Sequence, residues 1–530
     1  MVTVTFDKKE IFDLMNFKVE DSLLLDLLMG FGADVGALTR STISVELLPN
    51  RADLFSVEGL ARALALFLEK RSPEDEKRRY STFDSGIELR AEEVPIRPYI
   101  VTTVAELDGP LGLELNLNLI ALQEILHKSI CRERKKGAIG LHDLDMVKPP
   151  FVYRAVPADF SFTPLDGNRD MTIKEILNST KQGREYGHIL RDAKGYPMIV
   201  DANGDVLSFP PIINGNLTRL ESSTKRLFID VTGTDLTTIT NALNIICCSI
   251  IERGGRIGRV LTAGEKTPDL SWDSVEFDKR YAKEVLGFDA DWCPLLRKMG
   301  IELEGDKARI PPYRVDILHP ADVVEDAAIA YGYMKMRPRG PRESTVGEEL
   351  SINSLSNDVR DIMVGMGYQE IASLALTSHR LNEEAHITDE SSVEILNPLS
   401  EMQSMLRSSL IPGLLSSLKD NESRAKPLKL FEVGDVVING KNKRRVSAMV
   451  MYERASFTEI KGCAKKLLGE LGFEEEVKTC EHKSFIDGRC GSIEVKGKKI
   501  GVMGELDLEV LDNFSLEIPV AGLEVDLEEF

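Results

Sequence analysis

Acidic side chains crowd around one predicted helix start within residues 311–333, which read PPYRVDILHPADVVEDAAIAYGY. Pro320 suits the first turn of a helix because its missing N–H would be unpaired there, and the alanine-rich sequence after it favours helix. Asp322, Glu325 and Asp326 then share one face of that helix. Three like charges at this spacing repel one another, so the segment folds either around a cation or with this face in solvent.

A fourth carboxylate precedes this helix in the strand-like sequence YRVDI. An all-oxygen ligand set suits a hard cation, Mg²⁺ more than Zn²⁺, because no cysteine lies nearby and only His319 offers a nitrogen ligand. From the residues alone, a solvated acidic helix N-terminus, which the helix dipole also favours, is the alternative. The candidate metal ligands are Asp316, Asp322, Glu325 and Asp326.

Five other segments of the chain are informative together with residues 311–333. They are ELLPNRADLFSVEGLARAL (residues 46–64), LHKSICRERKKGAIGLHDLD (126–145), VLSFPPIINGNLTRL (206–220), FIDVTGTD (228–235) and ILNPLSEMQSMLRSSLIPGLL (395–415). Together with the carboxylate segment, they resemble in the same order the β subunit of phenylalanyl-tRNA synthetase in its archaeal and eukaryotic cytosolic form. The resemblance covers nearly the whole chain, and it implies that the four carboxylates form a Mg²⁺ site shared with the partner subunit.

The composition limits what the chain can bind and where it works. Its 530 residues predict several domains, and 42% hydrophobic residues suffice for sizeable cores. We expect a soluble, cytoplasmic protein without membrane contact, because there is no secretory leader, no long apolar run and no CxxC pair among seven cysteines. Since 86 acidic residues exceed 66 basic ones, for a net charge of −20, contact with tRNA requires a local basic patch or a basic partner.

The order of helix-like and strand-like segments predicts an α+β protein of several domains. We expect an N-terminal α+β domain over residues 1–75, a charged linker over 71–86, and a central α+β domain for tRNA binding and editing over 87–266. A small helical domain with the carboxylate segment follows over 271–343. The resemblance implies a winged-helix-like fold for that domain and, for residues 344–530, a class II synthetase-like antiparallel sheet with helices.

The last domain is predicted to be catalytically inactive. In the class II fold, an arginine on the strand after an FE-V-G type turn binds phosphate charge, and FEVGDVVING places Ile438 near that position. A branched aliphatic side chain donates no hydrogen bond to a phosphate, whereas arginine donates two. A second arginine belongs near the C-terminus of the fold, but Arg489 is the last arginine in this chain. Replacement of these two by Arg407 and Arg424 is the weaker alternative.

Proofreading is the activity that the resemblance implies for the central domain, by hydrolysis of tRNA charged with tyrosine in place of phenylalanine. Tyrosine adds only a hydroxyl group, which an apolar synthetic pocket rejects incompletely, so a second pocket with a polar acceptor improves discrimination. The family's pocket maps onto VLSFPPIIN and FIDVTGTD, which makes Ser208, Asn214 and Asp230 the candidates. The alternatives are two turn residues and an exposed carboxylate at a strand end. His142 and Asp143 lack a GxSxG serine elbow and do not support serine-hydrolase chemistry.

A rare basic cluster occurs in the sequence CRERKKG of this acidic chain. It predicts contact with the acceptor end of tRNA. Alternatively, its cations complement the C-terminal dipole of the helix before it. The cluster consists of Arg132, Arg134, Lys135 and Lys136.

These features, with the resemblance, predict a β subunit of this family. Its partners would be tRNA(Phe) and an α subunit, in a heterotetramer of two α and two β chains that attaches phenylalanine to tRNA(Phe) with ATP as co-substrate. The α subunit would carry synthesis, and this chain would supply scaffold, the Mg²⁺ site and editing of Tyr-tRNA(Phe). Two alternatives stay open: a free-standing trans-editing or RNA-binding factor with the same domains, and a carboxylate-metal enzyme with Mg²⁺-dependent phosphoryl chemistry.

Overall fold

The computed structural model of the protein describes residues 2–338, 340, 345–387 and 392–529. The chain forms two compact units, Met1–Arg339 and Gly340–Phe530. Within the described ranges, no helix has both the length and the apolar character needed to cross a bilayer.

The first unit begins with a small α+β layer. Its elements are β1 (Val2–Asp7), α1 (Lys8–Met15), α2 (Asp21–Gly30), β2 (Asp34–Leu38), β3 (Thr42–Leu47) and α3 (Val57–Phe67). The antiparallel sheet has the strand order β1–β3–β2, and Ile43, Val45 and Leu47 of β3 alternate into the core. The Ser56 hydroxyl caps α3 by accepting the N–H of Gly59 at 3.0 Å, because N-terminal N–H groups lack partners within the helix.

Residues 71–86 do not form the predicted linker. They contain α4 (Pro73–Arg79) and the start of β4 (Thr82–Ala91). A capping box begins α4, in which Ser72 and Asp75 each accept the backbone N–H of the other. The stretch lacks an apolar face, but Glu76 is fully buried in an ion pair with Arg71. Ionic contacts therefore hold a segment that an apolar pattern could not reveal.

The central part of the first unit is one large mixed sheet with helices. The further elements are β5 (Tyr99–Glu106), α5 (Gly112–Lys128), β6 (Gly137–Asp143), β7 (Phe151–Val156), β8 (Ser161–Phe162), β9 (Met171–Thr172), α6 (Ile173–Ser179), α7 (Lys181–Tyr186), β10 (Tyr196–Val200), β11 (Val206–Phe209), β12 (Ile213–Asn214), β13 (Arg226–Gly233), α8 (Leu236–Glu252), β14 (Arg256–Thr262) and β15 (Glu265–Thr267). The sheet order is β12–β11–β10–β7–β4–β14–β5–β13–β6, with β15 against β14. The strand β4 runs parallel to β14 and β7, and the other pairs are antiparallel. The strand order puts β13 and β6 at one end of the sheet. The apolar helix α8 packs on β5, β13 and β6 there.

A small sheet with helices ends the first unit. Its elements are β16 (Asp273–Glu276), α9 (Lys279–Leu286), α10 (Trp292–Lys298), β17 (Glu302–Glu304), β18 (Lys307–Ile310) and α11 (Pro320–Tyr331). The strand order is β16–β18–β17. Helix α11 begins at Pro320, as the sequence predicts, and buries Val323 and Ala327 in a core with Trp292. The acidic segment is therefore anchored by the apolar side of its helix.

The second unit is built on a mostly antiparallel sheet. Its elements are α12 (Ser351–Gly365), β19 (Gln369–Glu370), β20 (Leu376–Thr377), α13 (His379–Glu384), β21 (Met405–Leu406), α14 (Ile411–Asp420), β22 (Leu428–Ile438), β23 (Lys441–Met451), α15 (Phe457–Glu470), β24 (Glu476–Thr479), β25 (Phe485–Val495), β26 (Lys498–Leu506), α16 (Leu508–Asn513) and β27 (Val520–Asp526). The main sheet has the order β19–β22–β23–β27–β26–β25–β24, and only the β19–β22 pair in it is parallel among the described strands. One apolar cluster joins α12 and α15 to the sheet, and another joins α14 and α16 to it. An α+β architecture of sheets flanked by helices thus holds in both units.

Candidate functional site

A cavity of about 310 Å³, the first cavity, opens at the β6–β13 end of the central sheet. Its walls come from α5, from β6 and β13, and from the turn between β11 and β12. Apolar side chains such as Ile120, Leu165 and Ile213 alternate there with a few polar ones. The structure brings to this cavity all three predicted editing residues, Ser208, Asn214 and Asp230.

Asp230 lies in the middle of β13, between β5 and β6. Only 1% of the residue is exposed, so it is not the solvated strand-end carboxylate of the alternative interpretation. Its Oδ2 lies 2.8 Å from His142 Nε2, whereas its buried Oδ1 has no hydrogen-bond partner among the described residues. A buried carboxylate oxygen without a donor carries a desolvation penalty, which a ligand hydroxyl relieves by donating to it.

Gly140 lies opposite Asp230 in the β6–β13 ladder. A Cβ atom at this position would lie 2.1 Å from Asp230 Oδ2 and 2.6 Å from His142 Nε2. Both atoms are held by their mutual hydrogen bond and by burial, so neither has room to move away. The close approach of the two side chains to the β6 backbone therefore requires glycine.

His142 is a hydrogen-bond partner of Asp230 that sequence reasoning missed. Its Nδ1 lies 2.8 Å from Thr218 Oγ1, and the ring is fully buried. With the proton on Nε2, the imidazole donates to Asp230 and accepts from the Thr218 hydroxyl at Nδ1. Asp143 takes no part, since it accepts from Thr224 Oγ1 at 2.5 Å. The available signal was the two-residue alternation of β6, which puts His142 and a glycine on one face.

Ser208 and Asn214 pair across the β11–β12 hairpin. Ser208 Oγ donates to Asn214 Oδ1 at 3.3 Å, and Asn214 Nδ2 donates to the carbonyl oxygen of Leu141 at 3.3 Å. The amide therefore ties the hairpin to β6 in the wall of the cavity. Within the described residues, no imidazole or amine contacts Ser208 Oγ, so this hydroxyl lacks the base that an activated nucleophile needs.

Three members of the basic cluster lie at or near the surface. Arg132 and Lys135 are exposed. Lys136 is half-buried, and its Nζ lies 3.6 Å from the carboxylate of Asp235. Arg132 and Lys135 are thus the members whose charge is most accessible to a polyanion.

Arg134, the fourth member, belongs to the wall of the first cavity. Its guanidinium donates to the carbonyl oxygens of Pro211 and Ile212 at 3.1 and 3.2 Å, and to Glu124 Oε1 at 2.9 Å. A hydrogen bond from His127, together with the charge of Arg134, lowers the pKa of Glu124 to about 2. Glu124 is therefore anionic at neutral pH, and this ion pair links α5 to the turn that closes the cavity.

Arg314 lies between two of the four predicted metal ligands. Its Nε and Nη2 donate to the Asp316 carboxylate at 3.0 and 2.8 Å, and its Nη1 lies 2.6 Å from Asp326 Oδ2. Burial opposes its charge, but Asp326 and Asp316 raise the pKa of Arg314 well above its usual range. The strand-like sequence YRVDI forms turns rather than a strand, and the Arg314 N–H donates to the carbonyl oxygen of Pro311 at 3.0 Å.

The other two carboxylates face different partners. Asp322 Oδ2 accepts the backbone N–H groups of Leu318 and His319 at 2.8 Å each, which caps α11. Glu325 is exposed. In the part of the chain that the structure describes, no three of the four carboxylates bring ligand oxygens within 4.8 Å of one another. As arranged, the four do not fit one shared ion, because Asp316 and Asp326 pair with Arg314 whereas Asp322 caps α11.

The second unit contains a cavity of about 330 Å³ next to Ile438 at the end of β22. The lining includes Arg445, whose Nη1 donates to Glu524 Oε2 at 2.6 Å. The two arginines considered as alternatives for phosphate binding do not line this cavity. Arg407 pairs with a buried glutamate at 2.7 Å, and Arg424 is exposed. The guanidinium in the described lining of this cavity is therefore already neutralised by a carboxylate, whereas the exposed Lys483 also lines it.

Large apolar side chains stand exposed before α14 in the second unit. Leu396 is 93% exposed, Leu399 99% and Met402 59%. Single exposed apolar residues are common, whereas several within one short segment are typical of interaction surfaces.

Three family models match the chain in order along its length. The B3/4 domain matches residues 116–249, which contain all the residues that line the first cavity, and the tRNA synthetase B5 domain matches residues 275–333. The model described as the phenylalanyl-tRNA synthetase beta chain CLM domain matches residues 338–527. The chain is thus a subunit of the aminoacyl-tRNA synthetase class.

Curated relatives specify which synthetase. The chain is 39% identical over 527 residues to the phenylalanine–tRNA ligase beta subunit of Archaeoglobus fulgidus, with 96% of this chain and 95% of the relative covered. It is 37% identical to that of Methanocaldococcus jannaschii, with both chains covered in full. A solved N-terminal fragment of the Pyrococcus horikoshii beta subunit is similar to 62% of this chain, with 99% of the fragment covered, 33% identity and a TM-score of 0.58. The chain belongs to the family of phenylalanine–tRNA ligase β subunits.

Proposed function

We propose that this chain supports attachment of phenylalanine to tRNA(Phe) by an α subunit and hydrolyses Tyr-tRNA(Phe) in its own first cavity. The observation that carries the editing part is the buried, unpaired Oδ1 of Asp230 in the cavity wall. A tyrosyl phenol donates to this oxygen, and a phenylalanyl ring has nothing to donate.

Asp230 distinguishes tyrosine from phenylalanine because its buried oxygen carries a large free-energy cost when no hydroxyl group donates to it. A hydrogen bond to a charged group contributes about 1.5–3 kcal/mol, which corresponds to roughly 10- to 150-fold in affinity. A site built to receive a hydroxyl also rejects the analogue that lacks it more strongly than an apolar pocket rejects the added hydroxyl. The editing cavity therefore has the selectivity that the synthetic pocket lacks.

Hydrolysis in this site proceeds by direct attack of water on the ester. Water adds its hydroxyl to the acyl carbon, the bond to the ribose oxygen breaks, and that oxygen takes the proton. Ser208 is not the nucleophile, because no described base contacts its hydroxyl. Ser208 and Asn214 instead supply polar groups of the cavity wall to the water and the ester carbonyl.

The synthetic site belongs to the α subunit in this proposal. An aliphatic Ile438 and an Arg445 that is paired with Glu524 leave the described lining of this cavity without a free guanidinium for ATP phosphates. The exposed Leu396 and Leu399 support contact with another chain. The assembly contains two α and two β chains and uses ATP and tRNA(Phe) as substrates with phenylalanine.

In this proposal, Mg²⁺ binds away from the position that the Arg314 guanidinium occupies. Asp322 keeps its Oδ1 and Glu325 keeps its whole carboxylate free of described partners, and carboxylate oxygens suit this hard cation. Ligands from the α subunit complete the coordination, so Mg²⁺ binding depends on assembly.

Charging and deacylation assays on separated and coexpressed subunits test the proposal. Phe-tRNA(Phe) should form only when this chain and its α subunit are coexpressed. Asp230→Ala should slow hydrolysis of Tyr-tRNA(Phe) by roughly 10- to 100-fold, since one charged hydrogen bond is lost, and leave charging unchanged. Asp159→Ala, at an exposed aspartate outside the cavity, is the control. Unchanged hydrolysis in the Asp230 variant contradicts the editing role, and charging by this chain alone contradicts the assignment of synthesis to α.

A further inference from the structure

Two cysteines of the second unit face each other across neighbouring strands. The ladder between β24 and β25 runs up to the pair Thr479 and Gly491, and the next residues along the two strands are Cys480 and Cys490. Their Sγ atoms lie 3.1 Å apart. The hydrogen bonds of the described residues include no second contact between two cysteines. This pair is therefore the place where the chain brings two thiols together.

The backbone at this pair suits a disulfide bond. Residues directly opposite each other in an antiparallel ladder have Cα atoms about 4.5–5.5 Å apart. A disulfide spans Cα atoms about 4.4–6.8 Å apart, so the two sulfurs can bond without movement of the strands. Strand β24 is also the outermost strand of its sheet, which leaves its end at Thr479 free to adjust.

Metal binding is the alternative use of two adjacent thiols. Zinc takes at least three protein ligands, and usually four in a structural site. Across the described part of the chain, no histidine, carboxylate or third cysteine brings a ligand atom within 4.8 Å of both sulfurs. The pair therefore favours a bond between the sulfurs over coordination of a metal ion.

The two thiols differ in their access to solvent. Cys480 is half-buried, whereas Cys490 is only 5% exposed. Burial raises the pKa of the Cys490 thiol to about 12, so this thiol is protonated at neutral pH. A small oxidant in solution therefore reacts first with Cys480, and Cys490 lies next to the adduct that forms.

We propose that Cys480 and Cys490 are a redox modification site, at which a low-molecular-weight disulfide converts the two thiols into a reversible intramolecular disulfide. The Cys480 thiolate attacks one sulfur of the small disulfide, which forms a mixed disulfide and releases one small thiolate that takes up the Cys480 proton. Cys490 Sγ then attacks Cys480 Sγ, the mixed S–S bond breaks, and the second small thiol leaves with the Cys490 proton. The protein loses two electrons, and the small disulfide gains them.

The new bond closes the loop between β24 and β25 at its base. This loop supplies Glu481, His482 and Lys483 to the cavity beside Ile438. A cross-link at the base of a loop reduces the number of conformations open to it, so oxidation restricts one wall of that cavity. In a reducing compartment both cysteines stay thiols, and disulfides that form there are usually transient and redox-sensing.

Oxidation of the full β chain with oxidised glutathione tests the proposal, followed by alkylation and tryptic mapping without reductant. The wild-type chain should give the peptides Thr479–Lys483 and Cys490–Lys496 as one linked species, which dithiothreitol separates. Amide hydrogen exchange over residues 481–489 should slow by roughly tenfold on oxidation, because local opening of the loop is restricted. The melting temperature should rise by about 5 °C.

Three variants sharpen the test. Cys480→Ser should abolish the linked species and both accompanying changes, and this half-buried position tolerates the substitution. Cys490→Ser should accumulate the glutathione adduct of Cys480, because no second thiol resolves it. Cys293→Ser, at an exposed cysteine of the first unit, is the control and should behave like the wild-type chain.

Two outcomes overturn the proposal. One is a wild-type chain in which both thiols stay open to alkylation after oxidation. The other is a wild-type chain that stops at the glutathione adduct of Cys480, which shows that Cys490 does not reach it. Both results concern the wild-type protein, so they decide the question even where a variant fails to fold.

Discussion

His142 Nε2 donates to Asp230 Oδ2 at 2.8 Å, and this buried contact connects β6 to β13 at the wall of the first cavity. The bond uses one oxygen of the carboxylate and orients the other as an acceptor. Thr218 holds the far side of the imidazole at 2.8 Å, so the ring cannot turn without breaking both contacts. His142 therefore fixes the orientation of the Asp230 carboxylate.

His142→Leu should reduce Tyr-tRNA(Phe) deacylation by about tenfold and lower the free energy of unfolding by about 1–3 kcal/mol, because Asp230 loses its buried donor. His142→Gln places an amide N–H near the position of Nε2 and should retain most of both properties. Deacylation rates and urea unfolding of the two variants provide the measurement. Equal losses in both would show that the histidine does not act by holding the carboxylate.

Gly140→Ala should disable editing while leaving Phe-tRNA(Phe) formation intact. The new Cβ would lie 2.1 Å from Asp230 Oδ2, so the carboxylate must leave its position. We expect a loss of deacylation at least as large as that of Asp230→Ala. Gly109→Ala is the matched control, since a Cβ there meets nothing within 4 Å. Normal deacylation by the Gly140 variant would mean that Asp230 does not need this geometry.

Arg314→Met should destabilise the protein by about 3–5 kcal/mol, because it leaves the buried Asp326 and the partly buried Asp316 without their cation. Arg309→Met removes an exposed ion pair with Glu304 and should change stability little. Thermal unfolding of the β chain with and without a chelator completes the experiment. A fall in the wild-type melting temperature on chelation would contradict the assignment of the central cation to Arg314.

Asp53 should make stability depend on acidity. Burial alone would raise its pKa, but the guanidinium groups of Arg51 and Arg62 lower the pKa of Asp53 to about 2. Since the folded-state pKa lies below the unfolded value, this stabilisation of roughly 2 kcal/mol is complete above about pH 4 and is lost as the pH falls towards 2. Urea unfolding between about pH 6 and pH 3 should show wild type losing about 1 kcal/mol relative to Asp53→Asn. A constant difference between the two proteins over this range would contradict the shift.

Charge reversal of Arg132 and Lys135 should weaken tRNA binding and flatten its salt dependence. Each lost phosphate contact reduces the slope of log affinity against log salt by roughly 0.7–0.9. Filter binding at several salt concentrations gives this slope. Reversal of the exposed Lys461 and Lys465 on α15 is the control. An unaltered slope in the first variant would favour the alternative that the cluster only complements a helix dipole.

Sequence reasoning predicted the helix starts correctly where the deciding residue acts on the backbone within one turn of the chain. Pro320 marks the first residue of α11, and Ser56 caps α3, because both effects act on the backbone nearby. The same reasoning misassigned α4, since Glu76 is buried by an ion pair rather than by an apolar face. Patterns of hydrophobicity do not register that kind of burial.

The candidate site depended on pairings that sequence spacing does not specify. The resemblance placed Ser208, Asn214 and Asp230 together, and all three line the first cavity. Sequence reasoning compared His142 with its neighbour Asp143, whereas its partner comes from a strand that pairs with β6 from far along the chain. Strand register, rather than residue type, decides such contacts.

Arg314 also changes how this protein responds to its surroundings. A cation that binds from solution stabilises a fold by mass action, so its contribution varies with the concentration of free ion. A guanidinium that is part of the chain is present at the same effective concentration in every cell and every buffer. Ionic conditions should therefore govern the encounter of this subunit with its partner and with tRNA, while the fold around the carboxylates forms independently of them.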